Sequence, residues 1–315
     1  MQAFYLALLI GMNLLWAGSY AIYKVLGEQM DSGAIATIRF ALAALCLLVA
    51  WPWLPGRGPR GREWLRVSAM GLIVFCIAPR LQIEAVHLGK AGDTSLLMAL
   101  DPLLTAFAAA LFLHEKVPAR RWWGCGLGML GVVLLSKVWQ GDTPLRGLLP
   151  NTLFVVSLVC ETFYSVLSKG LLDKVGLMKL LAGGLFAGTV ANVGLEFCKT
   201  GPNALHTIQH LPLSTWGWLI YLAVICTVAG YTLWYLVIRR TEVNIAGLTV
   251  LMQPMAGWLL SIVWLREQVH SGQFWGAAAI LAGLMIGLRR QSPAPVPLVG
   301  VSEQAVENYQ LPVAK

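Results

Sequence analysis

The sequence predicts an all-α polytopic membrane protein: ten transmembrane helices forming two inverted five-helix repeats. Three observations carry that prediction. Only 12% of the 315 residues are charged while 57% are hydrophobic, against roughly a quarter charged in an ordinary globular domain. Apolar stretches of about 20 residues, enough to cross a hydrocarbon layer about 30 Å thick, recur along nearly the whole chain. The chain also resembles itself. Residues 95–117, SLLMALDPLLTAFAAALFLHEKV, align with residues 247–269, GLTVLMQPMAGWLLSIVWLREQV, at a constant offset of 152. Pro102 meets Pro254, Leu113 meets Leu265, Glu115 meets Glu267 and Val117 meets Val269. Beyond these segments Leu96 meets Leu248, Trp123 meets Trp275, Gly124 meets Gly276 and Gly131 meets Gly283.

The apolar periods place the spans in order, at 3–24, 33–54, 66–87, 93–113, 122–138, 147–168, 178–197, 214–238, 244–265 and 273–288. The first reads as a retained helix and not a signal peptide, because no basic segment precedes it and no cleavage site follows it. Span 1 carries Trp16 and Tyr20; span 2 carries Arg39, five residues from its outer end. Span 3 holds Arg80 and Glu84 at i, i+4, one helix face on which they can pair. Span 4 holds Asp101 and Pro102 side by side. Span 6 carries Glu161 and Tyr164, and span 7 has Lys179 and Glu196 near its ends, where long side chains snorkel. Span 8 contributes Tyr231 and Trp234, and span 9 Pro254 and Trp258. Spans 5 and 10 place small residues four apart, Gly124 with Gly128 and Gly283 with Gly287, a pattern for close helix packing. It also leaves a homodimer through the fifth and tenth helices open. Trp51, Trp53, Trp64, Trp122, Trp123, Trp139, Trp216, Trp218 and Trp275 fall at span ends and fit interfacial belts.

Residues 1–142 and 143–291 each hold five spans, an odd number. The second repeat is therefore inverted relative to the first, the plan of secondary transporters with a substrate site near the midplane between the copies. Residues 292–315 begin SPAPVP, lack apolar periodicity and read as a disordered cytoplasmic tail. One set of alternate loops and span ends carries fourteen Lys and Arg, among them Arg57, Arg60, Arg62, Arg121, Lys174, Arg239 and Arg289; the other carries six. Positive loops stay inside, which puts both termini in the cytoplasm. The net charge of +8 is thus a topology signal: it lies in short clusters between spans, not in one patch for nucleic acid. The six cysteines are scattered without a C-x-x-C pair and read as small buried hydrophobes. His206 and His210 have metal-pair spacing but no third ligand, so neither a metal nor a cofactor is expected.

WAGSYAIYK at 16–24, IRFALAAL in span 2, and the twice-used pattern of apolar span, proline, then L-x-E-x-V resemble the drug/metabolite transporter superfamily, specifically its ten-span EamA-type exporters. The resemblance covers residues 1 to about 290. It implies a basket of helices around a central cavity, with spans 5 and 10 outside it, moving small organic molecules across the inner membrane, usually outward.

Charges at membrane depth are the sharpest candidates for chemistry, since each costs about 2.5–3.5 kcal/mol on insertion scales unless paired or wetted. Asp101 and Glu161 have no sequence neighbour of opposite charge, and must face a polar cavity or be neutral. With Arg39, Arg80 and Glu84 they form the candidate substrate- or proton-binding set. Trp16, Tyr20, Tyr164, Tyr231, Trp234 and Trp258 are its aromatic walls, suited to an amphipathic or cationic molecule such as an amino acid, an amine or a drug-like cation. Pro102 and Pro254 each free the carbonyl one turn earlier, of Met98 and Val250, and make a matched pair of candidate gating kinks. An intramembrane lipid-modifying enzyme is the rival class, yet no H-E-x-x-H or G-x-S-x-G occurs. Within transport, simple facilitated flux stands beside proton coupling.

Overall fold

Helices dominate the computed structural model, which describes residues 2–112, 119–135, 144–168, 171–172, 174–201, 211–233 and 252–288. Their bounds follow the apolar periods: α1 Gln2–Leu26, α2 Ser32–Val49, α3 Glu63–Leu72, α4 Ala78–Leu88, α5 Ala91–Leu97, α6 Asp101–Phe112, α7 Ala119–Leu135, α8 Pro144–Ser168, α9 Leu177–Thr200, α10 Leu213–Ile220, α11 Met252–Val263 and α12 Ser271–Leu288. Four helical stretches, Ser32–Val49, Glu63–Leu88, Leu177–Thr200 and Leu213–Leu233, are long and apolar enough by themselves to cross a membrane. The chain is a multi-pass membrane protein. Trp234, Val250, Glu115, His206, His210 and residues 292–315 lie outside the described residues.

Local chemistry sets the helix ends. Asp31 precedes α2 and accepts the Ala34 N–H at 2.8 Å, satisfying one of the donors a helix start leaves free. α2 stops at Val49 rather than running to 54, because the WPW that follows forms a 3₁₀ turn with Pro52 inside it. α9 ends at Gly201, whose φ of 58° lies in the left-handed region that glycine enters without a steric cost.

Three spans are broken where hydropathy predicts continuity. α3 and α4 are joined by a π turn over Ile73–Ile77. α10 runs into a longer π segment, Tyr221–Ala229. Shifted by 152, the first falls on residues 225–229 and ends at the same position as the second. α5 and α6 are separated by the 3₁₀ turn Met98–Leu100. At that turn the carbonyl that Pro102 frees, Met98 O, accepts the Asp101 N–H. The proline therefore converts a turn from α to 3₁₀ without leaving an orphan oxygen.

The principal helix contacts join residues from the two halves: α7 with α12, α2 and α3 with α9, α4 and α6 with α8, and α11 with α1 and α5. In the α7–α12 pair a Cβ on Gly131 would lie 2.8 Å from Gly276 O, and one on Gly283 only 2.5 Å from Gly124 O. The small-residue stripes of spans 5 and 10 are thus spent on each other within one chain. Cys76 and Cys226 are buried, but Cys46 and Cys198 are exposed. For those two the expected burial fails for a simple reason: a face turned to lipid can be apolar without being covered by protein.

Candidate functional site

Residues from both halves line a half-open cavity of about 140 Å³. One water needs about 10–15 Å³ on this measure, so a small organic molecule fits. α1 contributes Trp16, Ser19, Tyr20 and Tyr23, and α2 contributes Arg39 and Phe40. The first π turn adds Val74 and Phe75, α4 adds Pro79 and Gln82, and the 3₁₀ turn adds Met98. Opposite them stand Glu161 of α8, Cys226 of the second π segment, Tyr231 just beyond it, and Gln253 of α11.

Both π turns lie on this wall, and each leaves a carbonyl for a side chain from another helix. The residue four beyond Phe75 is Pro79, which has no N–H to donate. Asn192 of α9 donates instead, Nδ2 to Phe75 O at 2.8 Å. In the second segment Gly230 N–H reaches the oxygens of Ile225 and Thr227, and the Cys226 carbonyl accepts Trp16 Nε1–H at 2.6 Å. The aromatic rings then pack on one another: Trp16 on Tyr231 with centroids 5.9 Å apart, and Phe75 against Phe40 at 5.9 Å and Tyr231 at 6.5 Å.

Arg39 is 8% exposed. Its Nε–H donates to the Thr227 hydroxyl at 3.1 Å, and Nη1 donates to the Tyr23 hydroxyl. The guanidinium lies over the rings of Phe40 and Tyr23, 4.9 and 5.7 Å from their centroids, a cation–π setting that fixes its plane. Glu161 accepts from Gln82 Nε2 at 3.4 Å. Asp101 stands off the cavity wall, half-buried and bonded by the Thr105 hydroxyl, within electrostatic reach of Glu161 and Tyr20.

Of the residues singled out in the sequence, Arg39, Glu161, Trp16, Tyr20 and Tyr231 meet at this cavity. Tyr164 is one ring behind, edge-on to Phe75 at 6.4 Å. Trp258 is elsewhere, packed on Phe274 at 5.6 Å. Pro254 lies in the first turn of α11, its carbonyl accepting the Ser95 hydroxyl at 3.0 Å. The anticipated Arg80–Glu84 pairing is corrected. Arg80 contacts Glu196 at 2.9 Å and donates to Asn192 Oδ1 at 2.7 Å, while Glu84 is half-buried on the same helix. Arginine is long enough to reach α9, where Asn192 accepts through its side-chain and backbone oxygens and Glu196 supplies the opposite charge. Glu196 in turn is not a snorkelling end residue: it is 7% exposed. A Cβ on Gly33 would collide with its Oε1, so the pair nests against bare backbone. Lys179 lies over the Trp51 ring at 5.6 Å.

Sequence reasoning overlooked the neutral polar groups in and beside the cavity. Gln82, Gln253, Ser19 and Asn13 are intramembrane polar groups as visible in the sequence as the charges. Gln253 Nε2 donates to Asn13 Oδ1 at 2.7 Å, a bond buried between α11 and α1. Among the described residues no three of His, Cys, Asp and Glu converge as metal ligands.

The model of the EamA-like transporter family matches twice, over residues 3–137 and 148–289. The chain belongs to the EamA-like transporter family. This member is a transporter rather than an enzyme, and the family implies a small-molecule substrate and a lipid surround. It is 23% identical over 289 residues to a probable terminal-alkyne amino-acid exporter of Streptantibioticus cattleyicolor, covering 89% of this chain and 94% of that one. It is 25% identical over 293 residues to a probable amino-acid metabolite efflux pump of Escherichia coli, covering 90% and 93%. An uncharacterized transporter of Archaeoglobus fulgidus is 23% identical over 277 residues, covering 88% and 95%. A solved crystal structure, 19% identical, shares the fold of this EamA-like transporter with a TM-score of 0.57 over 91% of this chain and 97% of the other.

Proposed function

We propose that the protein is an inner-membrane secondary transporter, with both termini cytoplasmic, that exports a small amphipathic metabolite by alternating access. The substrate is an amino acid, an amine or a drug-like cation. The moving parts are two inverted five-helix repeats, residues 1–142 and 143–291, with the tail after them. The observation that carries this reading is the cavity itself: a charged and aromatic chamber walled by residues from both halves, where the inverted-repeat plan puts its substrate. The two separate family matches and the coincidence of the π turns under the offset support the repeat. The names of the exporter relatives support the direction and substrate range. In this reading Pro102 and Pro254 are the matched bending points, and Glu161 with Asp101 behind it carries the coupling proton.

The test is exchange in proteoliposomes of the full chain loaded with a mixed pool of amino acids and amines, with and without an imposed pH gradient. Gradient-stimulated exchange is expected. Exchange indifferent to the gradient leaves a facilitator, and no exchange of any component removes the reading.

A further inference from the structure

The Arg39 guanidinium has five N–H groups, and protein acceptors engage two of them: the Thr227 hydroxyl on Nε and the Tyr23 hydroxyl on Nη1. Three remain, both of those on Nη2 included, without an acceptor among the described residues. The described ion pairs join Arg57 to Glu63, Arg80 to Glu196, Lys199 to Asp31 and His270 to Asp93; none involves Arg39. Glu161, the carboxylate on the same cavity wall, contacts Gln82 instead. A cation more than nine-tenths buried, set against two rings and two hydroxyls, thus lines a chamber with three of its N–H groups unengaged by the described residues and a carboxylate elsewhere on the wall.

Leaving a buried cation's donors unmet is costly, and the guanidinium fork matches a carboxylate in a bidentate geometry that an ammonium cannot reproduce. Thr227 is itself oriented for this, because its hydroxyl donates to Leu222 O at 2.9 Å and so turns a lone pair toward Arg39 Nε. We propose that Arg39 binds the carboxylate of the transported molecule while Glu161 receives its ammonium group. The substrate is then a zwitterionic amino acid, and amines or drug-like cations that lack an acid group are rejected. Phe75, Met98 and Tyr231 supply the apolar surface for its side chain. This inference rests on the transport reading above and narrows it: Arg39 becomes the residue that separates acids from amines.

The experiment uses the reconstituted full chain loaded with a pool of the common amino acids, and measures exchange of the labelled pool. Competitors are two matched pools, the decarboxylated amines and the deaminated acids. Amino acids are expected to exchange, and each half-analogue pool to compete at least about tenfold less well, as a site built around paired charges requires. Arg39→Lys, which keeps the charge and loses the fork, should raise the half-saturation concentration about tenfold or more. Thermal unfolding of that variant checks its fold; if it is unstable, the competitor series on the wild-type chain decides alone. Amines exchanging as well as amino acids overturn the Arg39 assignment and leave transport standing. Exchange of none of the three pools overturns both.

Discussion

Asn192→Leu tests the polar bridge that holds the first π turn to α9. The side chain is fully buried, accepts Arg80 Nε–H at 2.7 Å and donates to Phe75 O at 2.8 Å. Losing a bond to a charged donor costs about 1.5–3 kcal/mol, and an unmet buried carbonyl about 1–3 kcal/mol. Side-chain bonds inside membranes average nearer 0.6 kcal/mol, because the unfolded state also finds partners there. Between these limits the expected loss is about 2 kcal/mol, roughly thirtyfold in the unfolding constant. Denaturant titration of the purified chain in mixed micelles measures it. Thr189→Val is the control, since the Thr189 hydroxyl is buried without a hydrogen-bond partner among the described residues. Pro79→Ala supplies the N–H that position 79 lacks, so in that background Asn192→Leu should cost about 1 kcal/mol less. A loss within about 0.5 kcal/mol of the control, or an undiminished loss beside Ala at position 79, would refute the reasoning.

Glu267 accepts the N–H groups of Ala91 and Gly92 at 2.8 and 3.0 Å, capping α5 from the far end of the chain; Glu267→Ala should cost about 0.5–2 kcal/mol in the same titration, and no loss would remove the capping role. At Asp31 burial pushes the carboxyl up, but the Ala34 N–H and Lys199 outweigh it and hold it below the ordinary 3.8. The stability it contributes is therefore complete above that value and fades as pH falls through its lowered one. Asp31→Asn should flatten the acid limb of the stability profile, and a limb left unchanged assigns it to other groups. Pro102→Ala restores an α-helical donor to Met98 O and should slow exchange severalfold at wild-type stability; normal turnover rejects the bending point. On a cysteine-free background, an impermeant thiol reagent applied to whole cells should label His206→Cys and miss Arg60→Cys, and the reverse pattern inverts the topology.

Helix positions were legible because the bilayer fixes the length of an apolar run, and within the described residues most span ends fall within a few residues. The breaks were not. A π turn changes the number of residues per turn without changing composition, so hydropathy passes straight through Ile73–Ile77. Pro79 carries the available signal, a missing donor four residues after Phe75. Arg39, Glu161, Trp16, Tyr20 and Tyr231 stood out because charges and polar-tipped rings at membrane depth are rare. Gln82 and Gln253 escaped notice as neutral amides. The partner of Arg80 could not be read at all, because local spacing favours Glu84 and only the approach of α9 brings Glu196 within reach.

The Glu267 cap belongs to a wider set of stitches. Lys90 donates to Gln268 O, Gln273 to Asp93, Trp16 to Cys226 O, Arg39 to Thr227 and Gln253 to Asn13. Each joins a residue before position 142 to one after it. The family model matches each half separately, yet neither half is a complete object: cut at the joint, each fragment would present bare helix starts and unmet polar groups to lipid. The stretch that the family model matches and the unit that folds therefore differ. Two fragments made separately would be expected to survive only by finding each other within the same membrane.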